Sequence, residues 1–300
     1  MPKLKFVCPS SIAEVTETIS LIKEEVVFIS GGTDLVIQLN SGQIRPAWLI
    51  DLSQIPELNY IKEVDGRLRI GSATTFTQIS ESSLIRKKAR CLGQAAAQVG
   101  SPQIRNRATL GGNIAKASPA GDSLPALLVL EAWLTIQGPQ GLKRVSFDQL
   151  QAGNGSGLQP KELITEIDFP IGGSQANGQI LSGFAKLGNR TAVTIARLNM
   201  ALRVEFDSEQ GRIRGARWAV GALGRIPFRL EDLELELQGK RVNQKLAAEI
   251  VDRLTGVVDR AIPGRYSQEY KRQAIQGLGY DLLYDLFPEQ MVVSSTRRKV

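Results

Sequence analysis

The residues in this sequence whose types and spacing could do chemistry are Ser30-Gly31-Gly32-Thr33-Asp34 and Thr109-Leu110-Gly111-Gly112-Asn113, and the chemistry is phosphate binding. Glycine lets the backbone come close to a ligand and take positive φ, so successive N–H groups can converge on phosphate oxygens with no cationic side chain. The second loop runs on into Ala117-Ser118-Pro119-Ala120-Gly121-Asp122. Each loop precedes a stretch that reads as a helix, whose N-terminus favours anions. One such loop would be weak; two point to a pyrophosphate held between them, and so to a dinucleotide.

Composition narrows what such a grip can serve. The chain of 300 residues has no histidine and two cysteines, Cys8 and Cys91, with no Cys-x-x-Cys spacing, which nearly excludes an iron–sulfur cluster or a zinc site built from local ligands. Redox chemistry on this chain therefore needs a non-metal cofactor, and both cysteines read as small core or surface filler. The net charge of +7 suits nucleic acid, an anionic cofactor or an acidic partner protein. Basic residues fall in short patches, Arg86-Lys87-Lys88-Ala89-Arg90, Arg105-Asn106-Arg107 and Arg297-Arg298-Lys299, without the interleaved aromatics that stack on bases. No nucleic-acid partner is expected. No run approaches the ~20 apolar residues of a membrane span, and Met1-Pro2-Lys3-Leu4-Lys5-Phe6 lacks the apolar stretch of a secretory signal. The expected location is cytoplasmic.

The elements that must position the loops follow from periodicity. Ser11-Ile12-Ala13-Glu14 has capping-box spacing, and Ile12, Val15, Ile19 and Ile22 recur at helical intervals, which predicts a helix over 11–23. Val26 to Ile29 reads as a buried strand running into the first loop, Asp34 to Leu39 as a helix and Ala47 to Leu52 as a strand. The loop then sits at a strand's carboxyl end, where open α/β sheets bind ligands. Asp65-Gly66 between Tyr60–Val64 and Arg67–Ile70 predicts a two-residue hairpin and a change to antiparallel pairing. A long helix is expected over Ser83–Val99, another from Asp122 with Pro125 early in it, and strands at Leu134–Ile136, Lys143–Val145 and Leu163–Phe169.

Gly172-Gly173-Ser174-Gln175-Ala176-Asn177-Gly178 has linker composition and marks a domain boundary. Beyond it, strands are expected near Ile180–Leu187, Ala196–Phe206 and Arg212–Gly221, and helices near 228–238, 243–259 and 267–287. The chain reads as α+β, with a domain at 1–172 divided into subdomains at about 1–55 and 56–172, a second domain at 179–290 and a tail at 291–300.

The run from Gly100 to Ala115, Gly-Ser-Pro-Gln-Ile-Arg-Asn-Arg-Ala-Thr-Leu-Gly-Gly-Asn-Ile-Ala, continued through Ala117 to Asp122, resembles the FAD-binding medium subunit of molybdenum hydroxylases, the xanthine dehydrogenase and carbon monoxide dehydrogenase group. Ala219-Val220-Gly221-Ala222 with Pro227 and Arg229, and Ser267 with Tyr270 and Arg272, extend the resemblance over nearly the whole chain. It implies a two-subdomain FAD-binding fold of the vanillyl-alcohol-oxidase or p-cresol-methylhydroxylase type, followed by a smaller α+β domain of antiparallel sheet and helices. In that picture Ile29, Ser30, Gly31, Gly32, Thr33, Asp34 and Leu35 wrap the pyrophosphate of FAD through backbone N–H groups, and Thr109, Leu110, Gly111, Gly112 and Asn113 close from the other side. Ser118 and Asp122 match cofactor-binding positions, Ile164 an apolar residue packed near the flavin ring, and Lys186 a lysine at the flavin end. Taken without the family, Asp122 reads as a helix N-terminal acid and Lys186 as an ordinary exposed strand lysine. Val99 stands where some relatives carry an aromatic residue close to the flavin, and Thr194 where many carry a carboxylate.

The resemblance further implies an electron-transfer oxidoreductase subunit with no catalytic side chain of its own. Its partners would be a molybdopterin-binding large subunit and a small subunit with 2Fe–2S clusters, and its acceptor NAD, a quinone or oxygen. A stand-alone flavin reductase or oxidase on the same fold, and a non-catalytic nucleotide-binding regulator, remain alternatives.

Overall fold

The computed structural model describes residues 4–152, 157–172, 178–190 and 193–291. The described strands form three sheets, and the first is built from β1 (Lys5–Val7), α1 (Ile12–Leu21), β2 (Val26–Ile29), α2 (Leu35–Asn40) and β3 (Trp48–Asp51). This sheet is parallel in the order β1-β3-β2, with Phe6 opposite Leu49 and Phe28 opposite Ile50. Helix α1 starts where its capping residues place it: Ser11 accepts from the Glu14 N–H at 3.1 Å, and the Glu14 carboxylate accepts from the Ser10 N–H at 2.7 Å. Two donors near the helix start are thereby satisfied. The helix buries Val15 and Ile19 with Ile50, Leu52, Ile55 and Leu58.

The second layer begins with β4 (Ile61–Val64) and β5 (Arg67–Gly71), joined through Asp65 and Gly66 at φ 51° and 71°, the left-handed pair that a two-residue hairpin of this hand requires. There follow α3 (Phe76–Glu81), α4 (Ser83–Lys88), α5 (Arg90–Ala97), α6 (Pro102–Arg105), α7 (Leu110–Lys116), α8 (Ser123–Val129), β6 (Trp133–Gly138), β7 (Gly141–Ser146), α9 (Phe147–Ala152) and β8 (Leu163–Pro170). The sheet order is β4-β5-β8-β6-β7, antiparallel throughout.

The single helix expected over Ser83–Val99 is two. Ala89, at φ −146° and ψ 55°, ends α4 and starts α5. The bend leaves Arg86 and Lys87 in solvent while Cys91, Leu92, Ala95 and Ala96 are fully buried. Helical periodicity runs through the break, so only the packing of α5 reveals it.

The third layer comprises β9 (Gln179–Leu187), β10 (Leu198–Asp207), β11 (Arg212–Gly221), β12 (Phe228–Arg229), α10 (Glu231–Leu237), α11 (Gln244–Ala261), α12 (Gln268–Leu286) and α13 (Pro288–Met291). Its sheet is antiparallel in the order β12-β11-β10-β9. The helix expected at 228–238 begins only at Glu231, because Phe228 and Arg229 pair with Val220 and Ala219 as a strand, and the Glu234 carboxylate takes both the Trp218 N–H at 2.8 Å and the Arg229 guanidinium. Strand alternation assigns the two faces. Leu198, Met200, Leu202, Val204 and Phe206 pack under α11 and α12, while Phe184, Ala201 and Ala219 join the core of the middle layer. Helices α5 and α8 fill the space between the two antiparallel sheets, and every residue of α8 is buried. Of the expected linker, Gly173 to Asn177 lie outside the described residues, as does the tail from residue 292.

Candidate functional site

The first loop leaves β2 after its last rung, where Leu52 donates its N–H to Ile29 O at 2.7 Å. Among the described residues, the N–H groups of Ser30, Gly31, Gly32, Thr33 and Asp34 donate to no backbone or side-chain acceptor. The Ser30 hydroxyl is buried with no hydrogen-bond partner, and Asp34, at the cap position of α2, makes no side-chain cap bond. A buried polar atom is ordinarily paired, so an orphaned hydroxyl beside a row of open amides marks a place built for an acceptor. Helix α2 buries none of its residues and exposes Val36 and Ile37 at 43% and 68%. An apolar strip thus adjoins the open amides.

The second loop has a similar composition and different hydrogen bonds. Leu110 donates to Thr74 O at 3.0 Å, Gly111 to Ser72 O at 2.8 Å, Gly112 to Thr109 Oγ1 at 3.2 Å and Asn113 to Thr109 O at 3.0 Å. Its amides are thus engaged within the fold, unlike those of the first loop. The glycines there serve close approach. A Cβ on Gly111 would lie 2.6 Å from Ser72 Cβ, and a Cβ on Gly31 would lie 2.1 Å from Arg107 O and 2.9 Å from Ala108 Cα. The first loop therefore rests directly on the chain leading into the second. Asn113 Oδ1 accepts from Ser123 Oγ at 2.7 Å, and Ser118 accepts from Gly121 N–H at 2.8 Å in the turn that leads to Asp122.

Asp122 and Lys186 meet. Lys186 Nζ donates to Asp122 Oδ2 at 2.5 Å and to Gln98 O at 2.9 Å, and Asn199 Nδ2 donates to Asp122 Oδ1 at 3.0 Å. The Lys186 side chain is 4% exposed and that of Asp122 is 7%, so the reading of Lys186 as an exposed strand lysine is corrected. Register accounts for the convergence: Asn199 on β10 lies opposite Lys186 on β9 and Gly221 on β11, where a Cβ would fall 2.3 Å from Asn199 Oδ1. Burial pushes the Asp122 carboxyl above its ordinary value, opposed by the Lys186 charge and by the hydrogen bonds from Lys186 and Asn199. The one signal for Asn199 in the sequence is an amide inside the apolar run Leu198-Asn199-Met200.

Lys186 and Gln98 also line a cleft of about 620 Å³ with Gly100, Arg105, Asn189 and Thr194, within the range of small-molecule sites. Thr194 Oγ1 accepts from the Asn189 N–H at 3.2 Å. Val99 packs against the middle core. Ile164 is 3% exposed in the same core, opposite Ile136 on β6. No group of three His, Cys, Asp or Glu side chains that could hold a metal occurs among the described residues, and no described helix is long and apolar enough to cross a membrane.

The chain matches two family descriptions, an FAD binding domain in molybdopterin dehydrogenase over residues 2–172 and a CO dehydrogenase flavoprotein C-terminal domain over 184–286. It is 30% identical to the nicotinate dehydrogenase FAD-subunit of Eubacterium barkeri over 96% of this chain and 98% of that one. It is 31% identical to the xanthine dehydrogenase FAD-binding subunit of Escherichia coli O157:H7 over 88% and 90%. Carbon monoxide dehydrogenase of Hydrogenophaga pseudoflava has a chain of the same fold, with a TM-score of 0.84 at 23% identity, covering 96% of this chain and 98% of that one. On these matches the chain belongs to the family of FAD-binding medium subunits of molybdenum hydroxylases, as an oxidoreductase subunit whose cofactor is FAD.

Proposed function

We propose that this subunit takes electrons from the 2Fe–2S clusters of a small partner subunit, fed by a molybdopterin-binding large subunit, and passes them through FAD to NAD, a quinone or oxygen. FAD supplies the ability to accept and release electrons singly or in pairs. The chain's own residues bind and orient it, in a first domain at 1–172 followed by a second at 179–290. Ser30, Gly31, Gly32, Thr33 and Asp34 offer their N–H groups, and Ser30 its hydroxyl, to the pyrophosphate, with Ile29 and Leu35 fixing the ends of the loop. Thr109, Leu110, Gly111 and Gly112 hold the platform on which Gly31 rests. Asn113 and Ser118, both half-buried, line the far side. Ile164 backs the platform from the core, and the Asp122–Lys186 pair orients the second domain over the flavin end. No side chain here performs hydroxylation.

The observation that carries this reading is the orphaned Ser30 hydroxyl beside open amides. Ser30→Ala removes a buried hydroxyl that bonds to nothing in the protein, so the apo chain should keep its melting temperature. The same change should weaken FAD binding about tenfold or more, the worth of a hydrogen bond to a charged group. Titration of FAD into wild type and variant, followed by flavin fluorescence, decides it: equal affinities reject the cradle. Copurification of molybdenum and iron with the chain from native cells tests the partners, and their reproducible absence rejects the complex.

A further inference from the structure

Helix α1 begins capped by its own residues and ends without such a cap. Ser11 and Glu14 serve its start, but its last turn holds no basic residue and its final cap position is Ile22 rather than glycine or asparagine. The carbonyls of a last helical turn have no partner inside the helix. Here the partner comes from far along the chain: Lys161 Nζ donates to Ile22 O and, at 3.4 Å, to Ile19 O. At the other end the Glu57 carboxylate accepts from the Ile12 N–H at 2.8 Å. An anion at the first turn and a cation at the last both complement the helix dipole.

The backbone under Lys161 shows that its side chain is used. Gln159-Pro160-Lys161-Glu162 is a turn closed by the Glu162 N–H on Gln159 O at 3.1 Å, and Lys161, third in it, has φ 63°. With proline second, the third position of such a turn is left-handed and ordinarily glycine or asparagine. A lysine there carries the steric cost of its Cβ. The turn is firmly placed, because the Glu162 carboxylate accepts from the Gln159 N–H at 2.8 Å and pairs with Lys143 of β7 at 2.5 Å. Leu163, the next residue, opens β8 and shares a core with Val15, Ile19 and Ile22. The second layer thus holds α1 by a charge as well as by packing.

From Ile22 the chain needs only Lys23, Glu24 and Glu25 to enter β2, and β2 ends at the open loop. Strand β2 lies at the edge of its sheet, paired with β3, so α1 is its other support. The loop itself has little room, since a Cβ on Gly31 would lie 2.1 Å from Arg107 O of the second layer. A small shift of the first layer against the second therefore alters the aim of the open amides, and a misaligned hydrogen bond weakens steeply.

We propose that Lys161 is a positioning residue for the cofactor: with Glu57 it holds α1 at both ends and fixes the first layer, with its open amides, at the spacing from the second at which FAD is bound. This role rests on the amide cradle proposed above.

The test is titration of FAD into the cofactor-free full chain, followed by flavin fluorescence at a temperature where each variant is folded, beside its melting temperature. A role confined to stability lowers the melting temperature and leaves the affinity of the folded chain unchanged. Lys161→Met keeps the stem, loses the ammonium and should weaken FAD binding about three- to tenfold, whereas Lys161→Arg should stay within about twofold of wild type. Lys161→Gly separates the two uses of the residue. Glycine relieves the left-handed backbone, so a mere turn residue replaced by it would leave affinity unchanged and the melting temperature as high as wild type or higher. Loss of the hold on α1 weakens FAD binding in Lys161→Gly as it does in Lys161→Met. Glu57→Gln, an exposed change, should weaken it about two- to threefold and reads the same hold should Lys161→Met not fold. Wild-type affinity in either Lys161→Gly or Glu57→Gln overturns the proposal, as does a Lys161→Arg chain as weak as Lys161→Met. Ser30→Ala belongs in the same series: wild-type affinity there rejects the cradle itself, while a weakened Ser30→Ala beside unaffected Lys161 variants rejects only the positioning role.

Discussion

Lys186 shows how a residue's environment overrides its type. A strand lysine usually keeps its ammonium in water, yet this one is drawn into the protein because Asp122 and Gln98 O supply a charge and a carbonyl at hydrogen-bond distance. Taking both ions out of water is costly, and removing one partner leaves the other buried and uncompensated. Lys186→Met should therefore lose about 3–5 kcal/mol of unfolding free energy, read by urea titration, and adding Asp122→Asn should restore much of it. A single variant as stable as wild type would mean that the pair holds nothing together. The residues of the first loop were legible from glycine spacing, because open amides need no particular side chain. The differing use of the second loop was not, since Gly111 and Gly31 are glycine for what lies against them, Ser72 in one case and Arg107 with Ala108 in the other.

At the scale of elements, α5 and α12 are clamped across the domain interface by Arg90, which donates to Asp285 through Nη1 at 2.6 Å and Nη2 at 2.7 Å. These hydrogen bonds hold the Asp285 carboxyl below its ordinary 3.8, with lesser help from Gln94. A carboxylate depressed in the folded state contributes stability above its unfolded value and loses it as pH falls through the folded one. Asp285→Asn should thus lower the melting temperature at neutral pH, and the difference from wild type should shrink as pH falls below 3.8 and through the folded value. Both side chains are partly exposed, so the effect should stay below about 1 kcal/mol and shrink in salt. Strand alternation and capping residues made most elements legible. The break at Ala89 and the strand at Phe228–Arg229 were hidden, because local periodicity cannot report a bend imposed by packing or a pairing with Ala219 and Val220.

Across the whole molecule, Cys91 sits where the middle layer meets the third sheet, fully buried, its N–H donating to Ser182 Oγ on β9 at 3.2 Å. Burial pushes its thiol up to about 11, so little thiolate exists at neutral pH. Cys8 is exposed. A thiol reagent should titrate one cysteine in the native chain and two in denaturant, with the second reacting only as fast as the third layer comes away; rapid reaction of both in the native chain would refute a tight interface. The sequence by itself determined the alternation of the strands and the parallel β-α-β unit with its glycine loop, because these follow from spacing along one chain, and its run from Gly100 to Asp122 carried the resemblance to the family. Tertiary structure alone decided which loop keeps its amides open and that Lys186 and Asp122 pair in the interior. Those outcomes depend on which distant groups arrive within hydrogen-bond distance, and the free energy of a polar group is set by that neighbour and by the water it loses.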